Sequence, residues 1–369
     1  MAVTKGRIFG LDLLRVLAVM AVIVAHAGYS KIYGIKYGYV AIESFFVMSG
    51  FLIGEMLIRE FRAGFSFSDL KIFWVKRWYR TLPLYYLVLL LKFIFLNPDD
   101  IGANILYYVF FLQNNFYGIE FFAVSWTLVL EEWFYMIVPL VIFLFFRKGI
   151  VSNRFYVFTI FIIAGSILLR FLYGHFRTDL YDAVNGNIIL RFDAFIIGVG
   201  LASIKLFNHK WYKKLAEFKY FGLGILILIF SQLFYYDKLG VSSRELLGAG
   251  SIATQFFVMD LGIFFILPFL CEAPIFRSYK DGNKVIHILT WLSLLSYPMY
   301  LIHLEVQKYL PQVASSLYFG GSLGSFVINT SVTILLSYVI YEAIHEPMLR
   351  MRSRTVKRLA NKYNKPKTS

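Results

Sequence analysis

The sequence predicts an all-α, polytopic membrane helical bundle of about ten transmembrane helices, with one short re-entrant or interfacial segment and both termini cytoplasmic. Three observations predict it. Hydrophobic residues make up 59% of the 369 and charged residues only 16%, whereas a soluble domain is roughly half apolar and a quarter charged. Apolar runs of about 20 residues, long enough to cross the hydrocarbon, fill nearly the whole chain, and mean hydropathy is +0.66. Basic residues gather at alternate connections between the runs, as they do in cytoplasmic loops.

In order, the predicted spans run roughly from 8 to 28, 39 to 58, 74 to 96, 122 to 146, 154 to 174, 188 to 207, 219 to 236, 250 to 271, 286 to 308 and 322 to 345. The first already carries Asp12 and Arg15 and no small-residue cleavage site follows it, so it is a span and not a removable signal peptide. The basic connections hold Lys5 and Arg7; Arg59, Arg62, Lys71, Lys76 and Arg77; Arg147, Lys148 and Arg154; Lys205, Lys210, Lys213 and Lys214; and Arg277, Lys280 and Lys284. Placing these inside puts both termini inside, as an even number of spans requires. The apolar segment 101 to 112 is too short to cross, and counting it would carry Arg147, Lys148 and Arg154 outside. The opposite connections are short and contain Asp99, Asp100, Glu120, Asp179 and Asp182. The chain thus divides into a transmembrane domain over 1–349 and a basic cytoplasmic tail over 350–369. The tail's eight basic residues suit a surface of anionic lipid heads.

Several function classes are excluded. The excess of 37 Lys and Arg over 22 Asp and Glu follows from cytoplasmic loops and does not call for nucleic acid. A single cysteine, Cys271, allows no disulfide framework and no cysteine-ligated zinc, and no metal is expected. There is no Walker loop, HExxH, GxSxG elbow or Rossmann glycine fingerprint. Gly50 and Gly54, and Gly198 and Gly200, predict close helix packing.

Charges within the spans are costly and mark sites or pathways. They sort by depth into two layers. Arg15 and His26 lie 11 residues apart on the first helix, about 20° past three full turns, so they share a face about 16 Å apart along the axis. Asp12, three residues before Arg15, is placed to pair with it. The inner layer continues with Arg77 and Arg80 in KRWYRTLPLYY. This i, i+3 pair beside Lys76 suits a phosphate ligand, because guanidinium groups grip phosphate oxygens in bidentate fashion; basic residues snorkelling at a helix end explain the pair equally simply. The outer layer comprises His26, Glu43, Glu131, Glu132, Arg191, Asp193 and His303. Histidine with carboxylate is the composition of a general-base unit. Arg191 and Asp193 point about 200° apart, so each needs another partner, and of Glu131 and Glu132 at most one faces a given cavity squarely.

These segments together resemble the membrane-bound acyltransferase-3 family, which O-acylates surface polysaccharides, lipid-linked sugars, peptidoglycan and some small molecules. The resemblance runs through GLDLLRVLAVMAVIVAHA, ESFFVMSGFLIG, the RxxR of Arg77 and Arg80, SWTLVLEEWFY, RFDAFIIGVGLA, LSYPMYLIH and the closing YEAIHEP, in that order. It implies a co-substrate, acyl-CoA and commonly acetyl-CoA, entering from the cytoplasm, with a sugar or polysaccharide hydroxyl approaching from the other side of the inner membrane. Arg15, Arg77 and Arg80 would hold the donor, His26 would be the catalytic base, and Glu131, the first glutamate after the SW pair, its preferred carboxylate partner. Trp126 of that pair, with Asp12, Arg191, Asp193 and His303, falls on the substrate or supporting side. Glu43 stands where the family usually has Asp; it keeps the charge on a longer arm and counts with His26 and Glu131 among the catalytic candidates. No esterase-like domain follows, so the resemblance is to stand-alone members. The rival reading is a proton-coupled secondary transporter or flippase using the same buried charges. Neither the acceptor nor any oligomeric state is set by the sequence.

Overall fold

A computed structural model describes residues 7–29, 37–96, 101–146, 149, 152–176, 186–234, 241–277, 283–313 and 321–363. Lys5, Asp99, Asp100, Arg147, Lys148, Asp179, Asp182, Lys280 and the tail beyond Tyr363 lie outside the described residues. Among the described residues there is no strand. Lipid offers the backbone no hydrogen bonds, so each apolar run satisfies its own N–H and C=O groups as a helix.

Among the described residues fifteen α-helices follow one another: α1 (Phe9–Val24), α2 (Tyr37–Arg62), α3 (Phe67–Leu96), α4 (Ile105–Val109), α5 (Gln113–Phe116), α6 (Ser125–Phe146), α7 (Ser152–Phe176), α8 (Phe192–Phe207), α9 (His209–Leu215), α10 (Phe218–Gln232), α11 (Val241–Glu272), α12 (Pro274–Arg277), α13 (Lys284–Val313), α14 (Gly321–Ile340) and α15 (Glu346–Tyr363). Eight of these stretches are long and apolar enough to cross a membrane, and nine if α9 and α10, bent by 63°, make one span. Among the described residues each predicted span coincides with a helix, but α8 and α10 have only 16 and 15 residues, roughly 22–24 Å against the roughly 30 Å of hydrocarbon.

The chain divides into two compact units, Met1–Arg59 with Val151–Ser296, and Glu60–Ile150 with Tyr297–Ser369. In the first, α11 packs on α1, α7, α8, α9 and α10. Helices α2 and α8 touch backbone to backbone at Gly50, Gly54 and Gly198, whereas Gly200 faces Thr159 of α7 instead. A Cβ on Gly198 would overlap the Val47 carbonyl and lie 2.5 Å from the Phe51 nitrogen, and one on Gly54 would lie 2.8 Å from the Val199 Cα. Outward, large apolar side chains such as Phe161 are 76% exposed, as a lipid-facing surface requires.

In the second unit α3 packs on α6 and α15. The segment predicted not to cross, 101–112, holds a 3-10 turn (Gly102–Asn104) and the five-residue α4, with the four-residue α5 just after it. Its carbonyls are capped by side chains: Tyr85 and Tyr86 donate to Tyr108 and Val109 oxygens at 2.8 Å each, and the Trp133 indole donates to the Phe111 oxygen at 2.8 Å. Irregular backbone in an apolar chain needs such partners. Helix α14 passes through a π-helical turn, Tyr341–His345, into α15, which continues past the predicted boundary at 349 and packs against α3.

Candidate active site

In the first unit, the start of α1 is an ionic knot. Asp12 is 1% exposed. The Arg7 guanidinium donates to it at 2.9 and 2.5 Å, the Ser293 hydroxyl at 2.9 Å, and Arg15 at 3.4 Å. The predicted Asp12–Arg15 contact therefore exists, but Arg7 is the tighter partner of Asp12. Eleven residues on, His26 sits in a π-helical turn, Ala25–Tyr29, that follows α1. The regular rotation that predicts a face shared with Arg15 therefore stops at Val24. Such turns recur at functional sites. The ring is exposed, and Nδ1 lies 2.9 Å from the Val22 carbonyl. A carbonyl only accepts, so Nδ1 carries the proton and the lone pair resides on Nε2.

A second knot in the same unit joins α2, α7, α8 and α11. Arg191, in a 3-10 turn (Ile189–Arg191) leading into α8, pairs with Glu43 of α2, and both side chains are fully buried. Its guanidinium lies 3.6 Å from the centre of the Phe256 ring. Asp193 receives two hydrogen bonds from Arg170 of α7, at 2.7 and 2.6 Å. Arg170 also donates to the Leu190 and Ala253 oxygens at 2.6 and 3.0 Å. Asp260 of α11, fully buried, interacts electrostatically with Glu43, Asp193 and Arg191. Arg191 and Asp193 thus find separate partners, as their divergence on the helix demands. Sequence reasoning passed over Arg170 and Asp260, although both carry the same signal, an isolated charge inside an apolar run.

The second unit holds the RxxR pair. Arg77 of α3 lies over the rings of Phe73 and Tyr135, 5.7 and 5.4 Å from their centres. Arg80 is exposed. Neither makes a salt bridge among the described residues. The adjacent glutamates of α6 differ sharply. Glu132 is 3% exposed and accepts from the Thr81 hydroxyl at 2.5 Å. Glu131 is half-buried and accepts from the Tyr135 hydroxyl at 3.4 Å. Trp126 is half-buried one turn earlier, and its carbonyl accepts from Asn114 at 2.9 Å. His303 of α13 is fully buried, its Nδ1 donating to the Tyr300 carbonyl at 2.6 Å. The Tyr300 hydroxyl in turn accepts from Thr127 at 2.8 Å. A further pair that the sequence reading missed, Lys92 with Glu305 at 2.5 Å, ties α3 to α13. No group of His, Cys, Asp and Glu among the described residues has the arrangement of a metal site.

Long apolar helices, apolar side chains facing outward and charges gathered into buried knots define a multi-pass membrane protein. A family model described as "Acyltransferase domain" matches residues 8–342, and the chain belongs to that acyltransferase family. The O-acetyltransferase OatA proteins of Staphylococcus aureus strains NCTC 8325 / PS 47, COL and MRSA252 are each 27% identical to it, over 92% of this chain and 57% of theirs. The chain therefore spans little more than half the length of the curated relatives it matches. No solved structure matches it.

Proposed function

We propose that this protein is an inner-membrane O-acyltransferase. It moves an acyl group, acetyl first among them, from cytoplasmic acyl-CoA to a hydroxyl of an extracytoplasmic polysaccharide, lipid-linked glycan or other sugar. Family membership supports acyl transfer, and the similarity to OatA, named an O-acetyltransferase, supports an oxygen acceptor and an acetyl donor.

One observation carries the donor assignment. Arg7, Arg15, Arg170 and Arg191 each have a carboxylate partner, whereas Arg77 and Arg80 have no salt bridge among the described residues. Two guanidinium groups at i, i+3 on an apolar helix, with no carboxylate in salt-bridge contact among the described residues, match an anion of several oxygens, as the CoA phosphates are. The Nδ1 tautomer of His26 supports its role as base. Nε2 takes the proton of the acceptor hydroxyl as that oxygen attacks the thioester carbonyl; the C–S bond breaks, and the CoA thiolate leaves and receives the proton. Glu131, more accessible than Glu132, is the glutamate for the reaction. Glu43, Arg191 and Asp193 act as support, since their burial leaves them no open face.

The test is release of free CoA by the purified protein. Thiol should appear from acetyl-CoA only when a glycan acceptor is present, and His26→Ala should abolish it in a folded preparation. Arg77→Ala and Arg80→Ala should raise the KM for acetyl-CoA. Undiminished turnover by His26→Ala would remove the base assignment; solute flux without thiol release would replace transfer with transport.

A further inference from the structure

Helix α15 carries Arg350, Arg352, Arg354, Lys357, Arg358 and Lys362, and loop topology with anionic lipid accounts for most of them. It does not account for Arg352. Arg350, Arg354, Lys357, Arg358 and Lys362 are exposed, whereas Arg352 is half-buried. It falls on the helical stripe shared with Thr355, Val356, Leu359 and Ala360, all half-buried as well. That stripe meets α3, where the Thr355 hydroxyl donates to the Tyr79 hydroxyl at 3.3 Å. Tyr79 is the residue before Arg80. Arg352 is thus folded in toward the RxxR pair, and electrostatic coupling links it to both Arg77 and Arg80. No acid forms a salt bridge with it among the described residues, although Arg350, two positions earlier, pairs with Glu346 at 2.6 Å.

A second observation points to the same place. His345 ends the π-helical turn before α15 and is 7% exposed, and neither of its ring nitrogens has a hydrogen-bond partner among the described residues. It couples to Arg80 and Arg352, and its ring lies 6.0 Å from that of Tyr297, whose hydroxyl donates to the Thr81 carbonyl at 2.8 Å. Three guanidinium groups lie beside a buried imidazole; Glu131, Glu132 and Glu60 interact electrostatically with Arg77, but no acid forms a salt bridge with any of the three among the described residues, so an anion joining them would relieve their mutual repulsion. A buried polar group without a partner costs about 1–3 kcal/mol, so the cluster is incomplete as the chain alone presents it.

We infer that Arg352 and His345 are binding residues that complete the anion site begun by Arg77 and Arg80, so that α15 holds the phosphates at the nucleotide end of the acyl-CoA donor. This rests on the acyl-CoA reading above. Arg352 adds a third bidentate fork, and His345 adds a neutral N–H donor to a phosphate oxygen.

The experiment is binding of acetyl-CoA to the full chain in neutral detergent, with S-acetylpantetheine, which lacks phosphate, as the second probe. Arg352→Gln should weaken acetyl-CoA binding about 10-fold, one lost charge-assisted contact, and leave S-acetylpantetheine unchanged. His345→Ala should act in the same direction, and the exposed control Arg358→Gln should bind as wild type does. Wild-type affinity in Arg352→Gln, with affinity lost in Arg80→Gln, would overturn this inference and keep the donor reading; absence of acetyl-CoA binding by the wild type would refute the donor reading itself. Lipid head groups share the phosphate chemistry. If Arg352→Gln lowers affinity for phosphatidylglycerol vesicles while acetyl-CoA binding is unchanged, the site is a lipid site and the inference falls. Should the variants not fold, wild-type protein still decides: adenosine 3′,5′-bisphosphate should slow modification of Arg352 by phenylglyoxal, read by peptide mass spectrometry, and no protection would overturn the assignment.

Discussion

Replacing Arg191 with Met should destabilise the protein by about 3–5 kcal/mol, the usual cost of leaving one partner of a buried ion pair uncompensated. The magnitude follows from position. Both side chains of the Glu43–Arg191 pair have no exposed surface, so water does not rescue the orphaned carboxylate. The contact with the Phe256 ring, 3.6 Å from centroid to guanidinium carbon, adds about 2 kcal/mol where the cation is desolvated. Asp260 also loses its nearby cation, and Asp260→Asn in the Arg191→Met background should recover part of the loss. The double variant Glu43→Gln/Arg191→Met removes both charges and should recover most of the remainder, for a coupling of about 3 kcal/mol. Cys271, the single cysteine, is buried, so a thiol-reactive fluorophore reports unfolding with little background. At about 2–4 °C per kcal/mol, Arg191→Met should melt on the order of 10 °C below wild type. A single variant melting with the wild type, or a double variant no more stable than the single, would refute the reasoning.

Further outcomes follow from the same contacts. Gly198→Ala forces α2 and α8 apart against the Val47 carbonyl and the Phe51 nitrogen; it should cost about 1–3 kcal/mol or more in the same melting assay. Gly222→Ala in α10, with nothing within 4 Å of the new Cβ, should be neutral or stabilising by up to about 1 kcal/mol. The two glutamates of α6 should separate stability from turnover. Glu132→Ala takes away the closer acceptor of the Thr81 hydroxyl, which keeps only the Arg77 carbonyl at 3.3 Å, and should cost about 1 kcal/mol, whereas Glu131→Gln should melt as wild type while slowing CoA release. Lys92→Met should cost only about 1 kcal/mol, because the Glu305 side chain is 22% exposed and stays hydrated when its partner is gone.

Much of this protein is legible in one dimension. Apolar length decides which segments become helices, because a backbone without water closes its hydrogen bonds locally; each predicted span accordingly coincides with a helix, and 101–112 breaks into short pieces as its length requires. Helical spacing likewise places Arg77 with Arg80 and separates Arg191 from Asp193. The partners of the charges are another matter. Glu43 and Arg191 are 148 residues apart and Asp12 and Ser293 are 281 apart, and no local periodicity selects one buried cation for one buried acid. Only packing does, here through glycines that bring α2 and α8 together backbone to backbone. The same holds for Arg352. In sequence it is one of eight basic residues in a terminal stretch; the fold turns it inward while its neighbours face out, because a helix laid against α3 buries one stripe and leaves the rest to solvent.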